Sequence, residues 1–318
     1  MAPCFSVIIP NWNGGSFLGR CVAATVLSAR MTKLDHEIIV MDDASSDGSA
    51  DEIEQRWPEV SVERNVVNMG FGATVNRAAQ IARGEFIVLL NNDLIPREGM
   101  LSELIEPLLN SSDLFGVSGK TVEWYTSTPN HVNMGGRLVD GRFVLCYEDS
   151  KAAGPTMFLQ GGSCAMRRNE FLRLGGFHHL FAPGYWEDYD ISYLALKAGW
   201  RLLYNPRALG SHLGQGSMLR AYGHRRLSHV RKRNYFLFQW LNFTDRASIE
   251  STCRRLPKDL SMACRQSWID FRAFCAATRR LTDIEKERAR RAPLIQRSDS
   301  EIFHEFAHHG ELCPEYED

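Results

Sequence analysis

The fold is decided by the stretch Phe86-Ile87-Val88-Leu89-Leu90-Asn91-Asn92-Asp93. Five consecutive apolar residues predict a strand that is buried on both faces, as in a parallel sheet covered by helices. The abrupt change to two amides and a carboxylate marks the point where the strand leaves the sheet. Ligands of parallel α/β sheets bind at the carboxyl ends of the strands, so Asp93 is predicted to lie in a binding crevice.

Strands and helices alternate on the N-terminal side of this stretch. We predict strands at 5–9, 37–41 and 60–64, a helix capped by Ser16, and further helices at 49–56 and 73–82. The second of these helices stops before Pro58 because a residue that precedes proline is disfavoured in the α conformation. This alternation predicts a parallel sheet with right-handed crossovers and helices on both faces.

The pattern becomes mixed after residue 110. Asp140-Gly141 is a hairpin signal inside an irregular, partly antiparallel region. The remaining predicted elements are strands at 114–120, 157–159 and 163–167, helices at 99–109, 169–174 and 188–198, and short extended segments at 201–204 and 208–212.

We predict one α/β domain at 1–217, with a nucleotide-binding half at 1–110 and an acceptor and catalytic half at 111–217. Composition changes after Gly216, where Arg, Lys and aromatic residues are enriched. We predict that residues 218–318 form a mainly helical extension with a basic helix near 286–297. The oligomeric state cannot be read from these residues, and a homo-oligomer stays open.

Composition restricts the class of protein. A net charge of −1 with 24% charged residues is that of a globular protein and does not indicate a nucleic-acid partner. We find neither a basic leader before the first strand nor an apolar run of about 18 residues, so we expect a cytoplasmic protein without a membrane span. Eight scattered cysteines without a Cys-x-x-Cys pair are expected to be reduced.

Polar residues follow each of the four predicted parallel strands. Because these strand ends meet at one edge of the sheet, they predict a nucleotide crevice. Each residue taken alone is more often a turn former or a helix cap. We assign Asp43 to the ligand and Asp47 to the cap of the next helix. The candidate nucleotide-binding residues are Pro10, Asn11, Asn13, Asp42, Asp43, Asn68, Gly70, Asn76 and Asn92.

A divalent cation is the second ligand predicted for the crevice. Asp93 supplies a carboxylate of the kind that Mg²⁺ uses beside phosphates, and His212 is a candidate second ligand. The alternatives are that His212 is a surface or core residue and that the loop from Asn68 to Gly72 is a bare turn.

Tyr185-Trp186-Glu187-Asp188-Tyr189-Asp190 combines aromatic rings with three acids. Aromatic faces suit the apolar faces of sugars, and a carboxylate beside them can take the proton of an attacking hydroxyl. Acids at the start of a helix are also explained by capping and by the helix dipole. We assign Asp188 as the base and Glu187 to fixing the loop.

The ordered set of motifs resembles the inverting glycosyltransferases of family 2, over roughly residues 5–217. It comprises Val7-Ile8-Ile9-Pro10, Asp42-Asp43-Ala44-Ser45-Ser46-Asp47-Gly48, Asn68-Met69-Gly70-Phe71-Gly72, Asn91-Asn92-Asp93, Gly161-Gly162-Ser163 and Trp186-Glu187-Asp188-Tyr189-Asp190.

The resemblance implies a GT-A fold, a nucleoside-diphosphate sugar donor, Mg²⁺ or Mn²⁺, and a glycan or lipid-linked acceptor. By the same resemblance Asp43 contacts the base, Asp93 binds the metal and Asp188 is the catalytic base, with Gly161, Gly162, Tyr185 and Trp186 on the acceptor side. Asn91 stands where the D-x-D motif has its first acid, as in bacterial rhamnosyl- and related surface-glycan transferases, and this removes one negative charge from the metal site.

Two rival functions remain at the level of the sequence. A sugar nucleotidyltransferase would share the α/β fold, but its basic loop after the first strand is replaced by Asn11-Trp12-Asn13-Gly14-Gly15. A catalytically inactive glycan-binding or scaffold protein is supported only by Asn91. The basic stretch 220–233 is predicted to contact phosphates or to lie peripherally against the inner membrane face, and a solvated helical face is the alternative.

Overall fold

The computed structural model describes residues 3–213, 217–266, 268–307 and 311–312. Its strands are β1 (Phe5–Asn11), β2 (His36–Asp42), β3 (Val60–Arg64), β4 (Phe86–Leu90), β5 (Leu94–Pro96), β6 (Leu114–Glu123), β7 (Pro129–His131), β8 (Asn133–Val139), β9 (Arg142–Glu148), β10 (Gly154–Pro155), β11 (Ser163–Arg167), β12 (Arg201–His212) and β13 (Glu311–Leu312). Its helices are α1 (Gly15–Met31), α2 (Ser49–Arg56), α3 (Phe71–Ile81), α4 (Met100–Asn110), α5 (Arg168–Leu174), α6 (Glu187–Lys197), α7 (Ser217–Asn242), α8 (Arg246–Gln266), α9 (Trp268–Thr278), α10 (Leu281–Arg291) and α11 (Asp299–Glu305).

The main sheet has the order β10-β12-β6-β11-β4-β1-β2-β3, with β5 paired to β12 and β7 to β6. β4, β1, β2 and β3 are parallel neighbours, as their apolar runs and intervening helices predict. Asn11 lies opposite Asp42, and Asp42 lies opposite Arg64. The polar residues that end these strands are therefore brought to one edge of the sheet.

β11 runs antiparallel between β4 and β6 and inserts the second half of the chain into the sheet. β12 is parallel to β6, and its end pairs with the short strand β5, so that His212 lies opposite Leu94. This pairing places His212 next to Asp93, 119 positions away in the chain.

A second sheet contains the hairpin of β8 and β9 with β13. Asp140 and Gly141 form its two-residue turn, with φ angles of 46° and 77°. Positive φ at both positions is the geometry that an Asp-Gly turn favours, and the hairpin prediction is confirmed.

Three local predictions are wrong. Residues 157–159 are buried but form no strand, because their backbone groups bond to separate partners such as Met134 and Ser192 instead of to one neighbouring strand. The segments 201–204 and 208–212 are one strand, β12, whose pairing shifts between Asn205 and Leu209. Ser16 does not cap α1, whose N-cap is Gly14.

The predicted basic helix near 286–297 is the end of α10 followed by a 3₁₀ turn at Ala292–Leu294. Residues of α6, α7, α9, α10 and α11 share one buried cluster with the sheet, so these helices pack on the same core as the sheet. The division at residue 217 remains our proposal. Gly214, Gln215 and Gly216, part of the glycine-rich segment after His212, lie outside the described residues.

Two buried ion pairs join these helices to α6. Asp190 of α6 receives two hydrogen bonds from Arg291 of α10, at 2.7 and 2.8 Å. Lys197 of α6 contacts Asp299 of α11 at 2.7 Å, and both side chains are almost fully buried. In the part of the chain that the structure describes, no helix has the length and apolarity needed to cross a bilayer.

Candidate active site

A cleft of about 460 Å³ lies at the carboxyl edge of the parallel strands. Its walls come from the ends of β1 and β4, the loop before α3, the loop before β11, the start of α6, the end of β12 and one side of α7. Among the predicted site residues it is lined by Pro10, Asn11, Asp43, Asn68, Gly70, Asn92, Asp93, Gly161, Gly162, Tyr185, Trp186, Glu187, Asp188 and His212.

Asp93 and His212 form a pair on one wall of the cleft. The Nε2 atom of His212 lies 3.2 Å from Oδ1 of Asp93, and both side chains are largely buried. Burial works to lower the pKa of His212, but the hydrogen bond to Asp93 and the charges of Asp93 and Glu123 outweigh it and raise that pKa. An imidazole and a carboxylate converging in a cleft are suitable ligands for a divalent cation that also takes phosphate oxygens.

No group of three or more His, Cys, Asp and Glu side chains within the described residues could share a metal ion. A cation held by Asp93 and His212 would therefore take its other ligands from a bound molecule or from water. Asn91 also lines the cleft, and its amide group packs against Gly162. A β-carbon on Gly162 would lie 2.2 Å from Nδ2 of Asn91, so the close approach of these two loops requires a glycine.

An amide network fixes the ends of β1, β2 and β4 relative to one another. Asn92 donates to Oδ1 of Asn11 at 2.8 Å, and Asn11 donates to Oδ1 of Asp42 at 2.8 Å. Asp42 also accepts from the backbone N–H of Ser45 at 3.0 Å. Asp42 is thus used to hold the turn after β2 and does not line the cleft.

Asp43 organises the loop before α3 from the floor of the cleft. Its carboxylate accepts hydrogen bonds from the backbone N–H groups of Met69 and Gly70 at 2.7 and 2.9 Å, and from the amide of Asn65 at 2.8 Å. Gly70 has φ of 82°, which favours a residue without a β-carbon. Asp43 therefore shapes the wall that Asn68 and Gly70 present.

Two other predicted residues are not among those that line the cleft. Asn13 accepts from the N–H of Ser46 at 2.9 Å in the turn after β1. Asn76 pairs its amide with the backbone of Phe177, at 2.8 Å in both directions, and so joins α3 to the loop after α5. The prediction that Asp47 caps α2 is wrong, because the N-cap is Gly48. The Asp47 carboxylate instead accepts from the backbone N–H groups of Ser49 and Gly15, at 3.0 and 2.8 Å, and joins the loops after β1 and β2.

Glu187 and Asp188 lie at the start of α6 on the opposite wall. Asp188 accepts hydrogen bonds from the backbone N–H groups of Gly161 and Tyr189, at 3.0 and 2.9 Å. Oε2 of Glu187 is buried without a hydrogen-bond partner among the described residues. Burial raises the pKa of both carboxyl groups, and the charge of Asp188 raises that of Glu187 further.

The two carboxyl groups differ in which form their surroundings favour. The N–H groups that bond Asp188 favour its charged form, whereas the bare Oε2 of Glu187 has no such support. Glu187 therefore holds its proton to higher pH than Asp188. At a pH between the two pKa values, the pair would present one ionised and one protonated carboxyl group, which suits a base beside a hydrogen-bond donor.

The loop before α6 carries Tyr185 and Trp186 in the left-handed region, with φ of 70° and 77°. Asn234 of α7 holds this loop, because its amide donates to the carbonyls of Phe181, Gly184 and Tyr185 at 2.8, 3.0 and 2.8 Å. Such backbone conformations persist only where the surroundings enforce them. The aromatic wall and the acids behind it are thus positioned by a residue of the C-terminal helices.

Sequence reasoning missed several residues that line the cleft: Trp12, Phe71, Thr74, Thr121, Asn130, Gln160, Tyr222 and Arg231. The guanidinium group of Arg231 lies 4.3 Å from the ring centre of Tyr185, and Trp12 packs against Tyr222. Arg231 falls within the basic stretch that was predicted to contact phosphates. Thr121 and Gln160 gave no signal, because they reach the cleft only through the mixed half of the sheet.

The family model described as "Glycosyl transferase family 2" matches residues 6–175, more than half of the chain. The protein belongs to glycosyl transferase family 2. Together with the sheet described above, this confirms the expected resemblance and the GT-A fold. It also favours a glycosyltransferase over a sugar nucleotidyltransferase.

Relatives within family 2 include enzymes of surface-glycan synthesis. The chain is 34% identical over 150 residues to the poly(ribitol-phosphate) β-glucosyltransferase of Bacillus spizizenii, a match that covers 44% of this chain and 23% of that protein. It is 24% identical over 240 residues to the N-acetylglucosaminyl-diphospho-decaprenol L-rhamnosyltransferase of Mycobacterium tuberculosis, covering 65% of this chain and 75% of that enzyme. This chain therefore spans less than a quarter of the first relative.

Among solved structures, the fold is similar to that of GalNAc-T7 crystallised with UDP, GalNAc and Mn²⁺, with a TM-score of 0.70. The two chains are 19% identical, and the similarity covers 97% of this chain and 58% of that one. At this level of identity the similarity is one of fold.

Proposed function

We propose that the protein is an inverting glycosyltransferase that moves a sugar from a UDP-, dTDP- or GDP-linked donor to a hydroxyl group of a glycan or lipid-linked acceptor. One observation carries the proposal. The Asp93 and His212 pair and the Asp188 carboxylate line the same cleft at the carboxyl edge of the sheet. Membership of family 2 supports the same reaction class.

The donor fits the wall formed by the ends of β1 and β4 and by the loop before α3. Amide groups of Asn11, Asn68 and Asn92 line this wall, and Asp43 fixes the loop. Such groups can bond a base and a ribose, and the glycines allow close approach of the backbone. The donor diphosphate is then directed toward Asp93 and His212.

Mg²⁺ or Mn²⁺ fits the donor set of Asp93 and His212. When bound, the cation would neutralise the charge that develops on the leaving diphosphate. Asn91 in place of an acid lowers the negative charge of this wall and hence the expected affinity for the cation. GalNAc-T7 was crystallised with Mn²⁺ and UDP, which supports a metal in this fold.

Asp188 is the proposed base. It accepts the proton of the acceptor hydroxyl as that oxygen bonds to the anomeric carbon, while the bond from that carbon to the diphosphate oxygen breaks. One displacement inverts the anomeric configuration. The N–H groups of Gly161 and Tyr189 hold the carboxylate in place, and its raised pKa makes it a stronger base than an ordinary aspartate.

The acceptor fits the aromatic wall formed by Tyr185 and Trp186, with Gly161 and Gly162 beneath it. The ring of Tyr185 is overlaid by the cationic side chain of Arg231, which is suited to a phosphate of the donor or of a lipid-diphosphate acceptor. A lipid-linked acceptor would place a cytoplasmic enzyme at the inner face of the membrane.

A panel of UDP-, dTDP- and GDP-sugars tests this function. Calorimetry with Mn²⁺ should detect binding of one nucleotide class, and the Asp93→Asn variant should lose the metal-dependent part of that binding. The Asp188→Asn variant should retain nucleotide binding and lose transfer by at least about a hundredfold, the scale of general-base catalysis.

The matched control is Asp113→Asn, since Asp113 is a surface aspartate paired with Arg201. It should leave binding and transfer unchanged. Full transfer activity in Asp188→Asn would refute the assignment of the base, and failure of all three nucleotide classes to bind would refute the proposed function.

A further inference from the structure

Charge is distributed very unevenly along this chain. Residues 218–280 contain fourteen Arg and Lys residues against four Asp and Glu residues, a net charge of +10. The chain as a whole carries −1, so the other residues together carry −11. A protein with this asymmetry is oriented by a charged surface, because one side is attracted and the other is repelled.

α9 separates its cationic face from its packing face. Its inner face carries Asp270, Ala273, Phe274 and Ala277, of which the two alanines are buried and Phe274 packs on the aromatic side chains of α7. Its outer face carries Trp268, Arg272 and Arg279, which are all exposed. These three residues follow the spacing i, i+4 and i+11 and therefore lie along one side of the helix.

α8 carries a second exposed stripe. Arg254, Lys258, Ser261 and Arg265 recur at i, i+4, i+7 and i+11, and all four are exposed. Two acids of α8 and α9 are paired away from these stripes, since Asp259 contacts Arg255 and Arg142 and Asp270 contacts Lys232. Glu250 lies one turn before Arg254 and contacts Arg254 and Arg246. The exposed stripes of α8 and α9 therefore offer Lys258, Arg265, Arg272 and Arg279 as cations.

Trp268 gives this surface an apolar component. Its side chain is 70% exposed, an unusual position for the largest apolar side chain. Tryptophan beside Arg and Lys is typical of surfaces that bind the interfacial region of a lipid bilayer. A site for a soluble polyanion would need the cations alone.

The pair of helices α8 and α9 adjoins the cleft through α7. Lys232 of α7 contacts Asp270 near the start of α9, and the preceding residue, Arg231, lines the cleft. Trp268 is the first residue of α9 and lies two positions before Asp270. A surface bound by α8 and α9 would therefore lie beside the acceptor side of the cleft.

We propose that the outer face of α8 and α9 docks on an anionic phospholipid bilayer, with Lys258, Arg265, Arg272 and Arg279 against the headgroups and Trp268 at the interface. Docking would hold the cleft at the membrane surface, where the headgroup of a lipid-linked acceptor is found. This last step rests on the proposed function, whereas the docking itself does not.

Vesicle sedimentation with the full chain tests the docking. Wild-type protein should sediment with vesicles of phosphatidylcholine that contain about one third phosphatidylglycerol, and not with pure phosphatidylcholine. Each cation near an anionic surface multiplies the partition coefficient by about five, so the triple variant Arg265→Gln, Arg272→Gln, Arg279→Gln should bind on the order of a hundredfold more weakly. Raising the salt from 0.1 to 0.5 M should weaken wild-type binding.

The matched control is the triple variant Arg30→Gln, Arg56→Gln, Arg173→Gln, which neutralises three exposed arginines in other parts of the fold. It should bind anionic vesicles like the wild type. The Trp268→Ala variant should bind anionic vesicles more weakly than the wild type. The blue shift of tryptophan fluorescence that these vesicles produce in the wild type should be lost in this variant.

Three outcomes would overturn the docking proposal. The first is an equal loss of vesicle binding in both triple variants. The second is wild-type protein that sediments with pure phosphatidylcholine vesicles but not with anionic ones. The third is wild-type protein that binds soluble polyphosphate as tightly as anionic vesicles, with no effect of Trp268→Ala on either. The assay uses no nucleotide sugar. Its failure would leave the proposed glycosyl transfer untouched, and failure of glycosyl transfer would leave the docking result standing.

Discussion

The buried pair of Arg291 and Asp190 allows a quantitative test of how the C-terminal helices support α6, the helix that carries the proposed base. Arg291 donates to both carboxylate oxygens of Asp190, and its Nε donates to Glu287 at 2.7 Å. Asp190 is fully buried, and its other hydrogen-bond donor is the amide of Asn242 at 2.8 Å. The proposed perturbation is Arg291→Met, which keeps an unbranched side chain and removes the charge.

The expected cost follows from burial. Without Arg291, the carboxylate of Asp190 is left in the interior without its counter-charge, whereas Glu287 keeps its contacts with Arg290 and His178. Removing one partner of a buried ion pair costs about 3–5 kcal/mol of unfolding free energy. This is a large share of a total that is typically about 5–15 kcal/mol. The double variant Asp190→Asn, Arg291→Met should recover part of the loss, because no charge is then left at Asp190.

Urea unfolding followed by circular dichroism measures these differences. The matched control is Arg201→Met, because Arg201 and Asp113 form an ion pair of similar length, 2.8 Å, on the surface, with side chains 59% and 56% exposed. Exposed ion pairs contribute about 0–1 kcal/mol to stability, so Arg201→Met should change the free energy of unfolding very little.

Two results would refute the reasoning. One is a loss below about 1 kcal/mol in Arg291→Met, which would mean that water reaches the pair. The other is a double variant less stable than the single one, which would mean that the Asp190 carboxylate is not the group left unpaired.

Three further predictions concern the cleft. Gly162→Ala should weaken nucleotide binding in the presence of Mn²⁺ by about tenfold, because the new β-carbon must displace the amide of Asn91. The control Gly154→Ala should have no effect, because the space around Gly154 is open. Calorimetry measures nucleotide binding in both variants. Asn234→Asp removes the N–H donors and places a carboxylate against three carbonyl groups, so it should lower kcat more than it changes the KM for the donor. Asn234→Ser restores one donor and should recover part of kcat. Equal kcat in the wild type and both variants would contradict this prediction. In a pH profile, kcat/KM should fall as the pH drops through the raised pKa of Asp188. The midpoint should lie above the usual aspartate pKa of about 3.9. A lower midpoint would show that another group limits the reaction.

The strand ends could be predicted from the sequence because their signals are local. An apolar run followed by Asn or Asp predicts both a buried strand and a polar end, and parallel pairing then aligns the ends at one edge. Asp93 was found in this way and does lie in the cleft. The same rule also selected Asp42 and Asn13, which hold turns, because a local pattern does not distinguish a residue that binds a ligand from one that bonds its own backbone.

The aromatic wall of the cleft depends on contacts that no local sequence pattern encodes. Asn234 lies 49 residues from Tyr185, and Arg291 lies 101 residues from Asp190. Whether an asparagine or arginine meets such a partner depends on how α7 and α10 pack on α6. The predicted strand at 157–159 was wrong for the same reason, since its apolar residues are buried by packing and not by pairing with one strand.

The sequence by itself determined the alternating strands and helices of the first half, the carboxyl-edge position of Asp93 and the presence of an acid pair after an aromatic pair. Periodicity, turn residues and caps act over a few residues, so they can be recognised in a single chain. Only the tertiary structure decided that β11 inserts antiparallel, that the pairing of β5 with β12 brings Asp93 to His212, and that a C-terminal helix holds the loop before α6. These depend on the pairing of distant segments, which the packing of the whole chain selects.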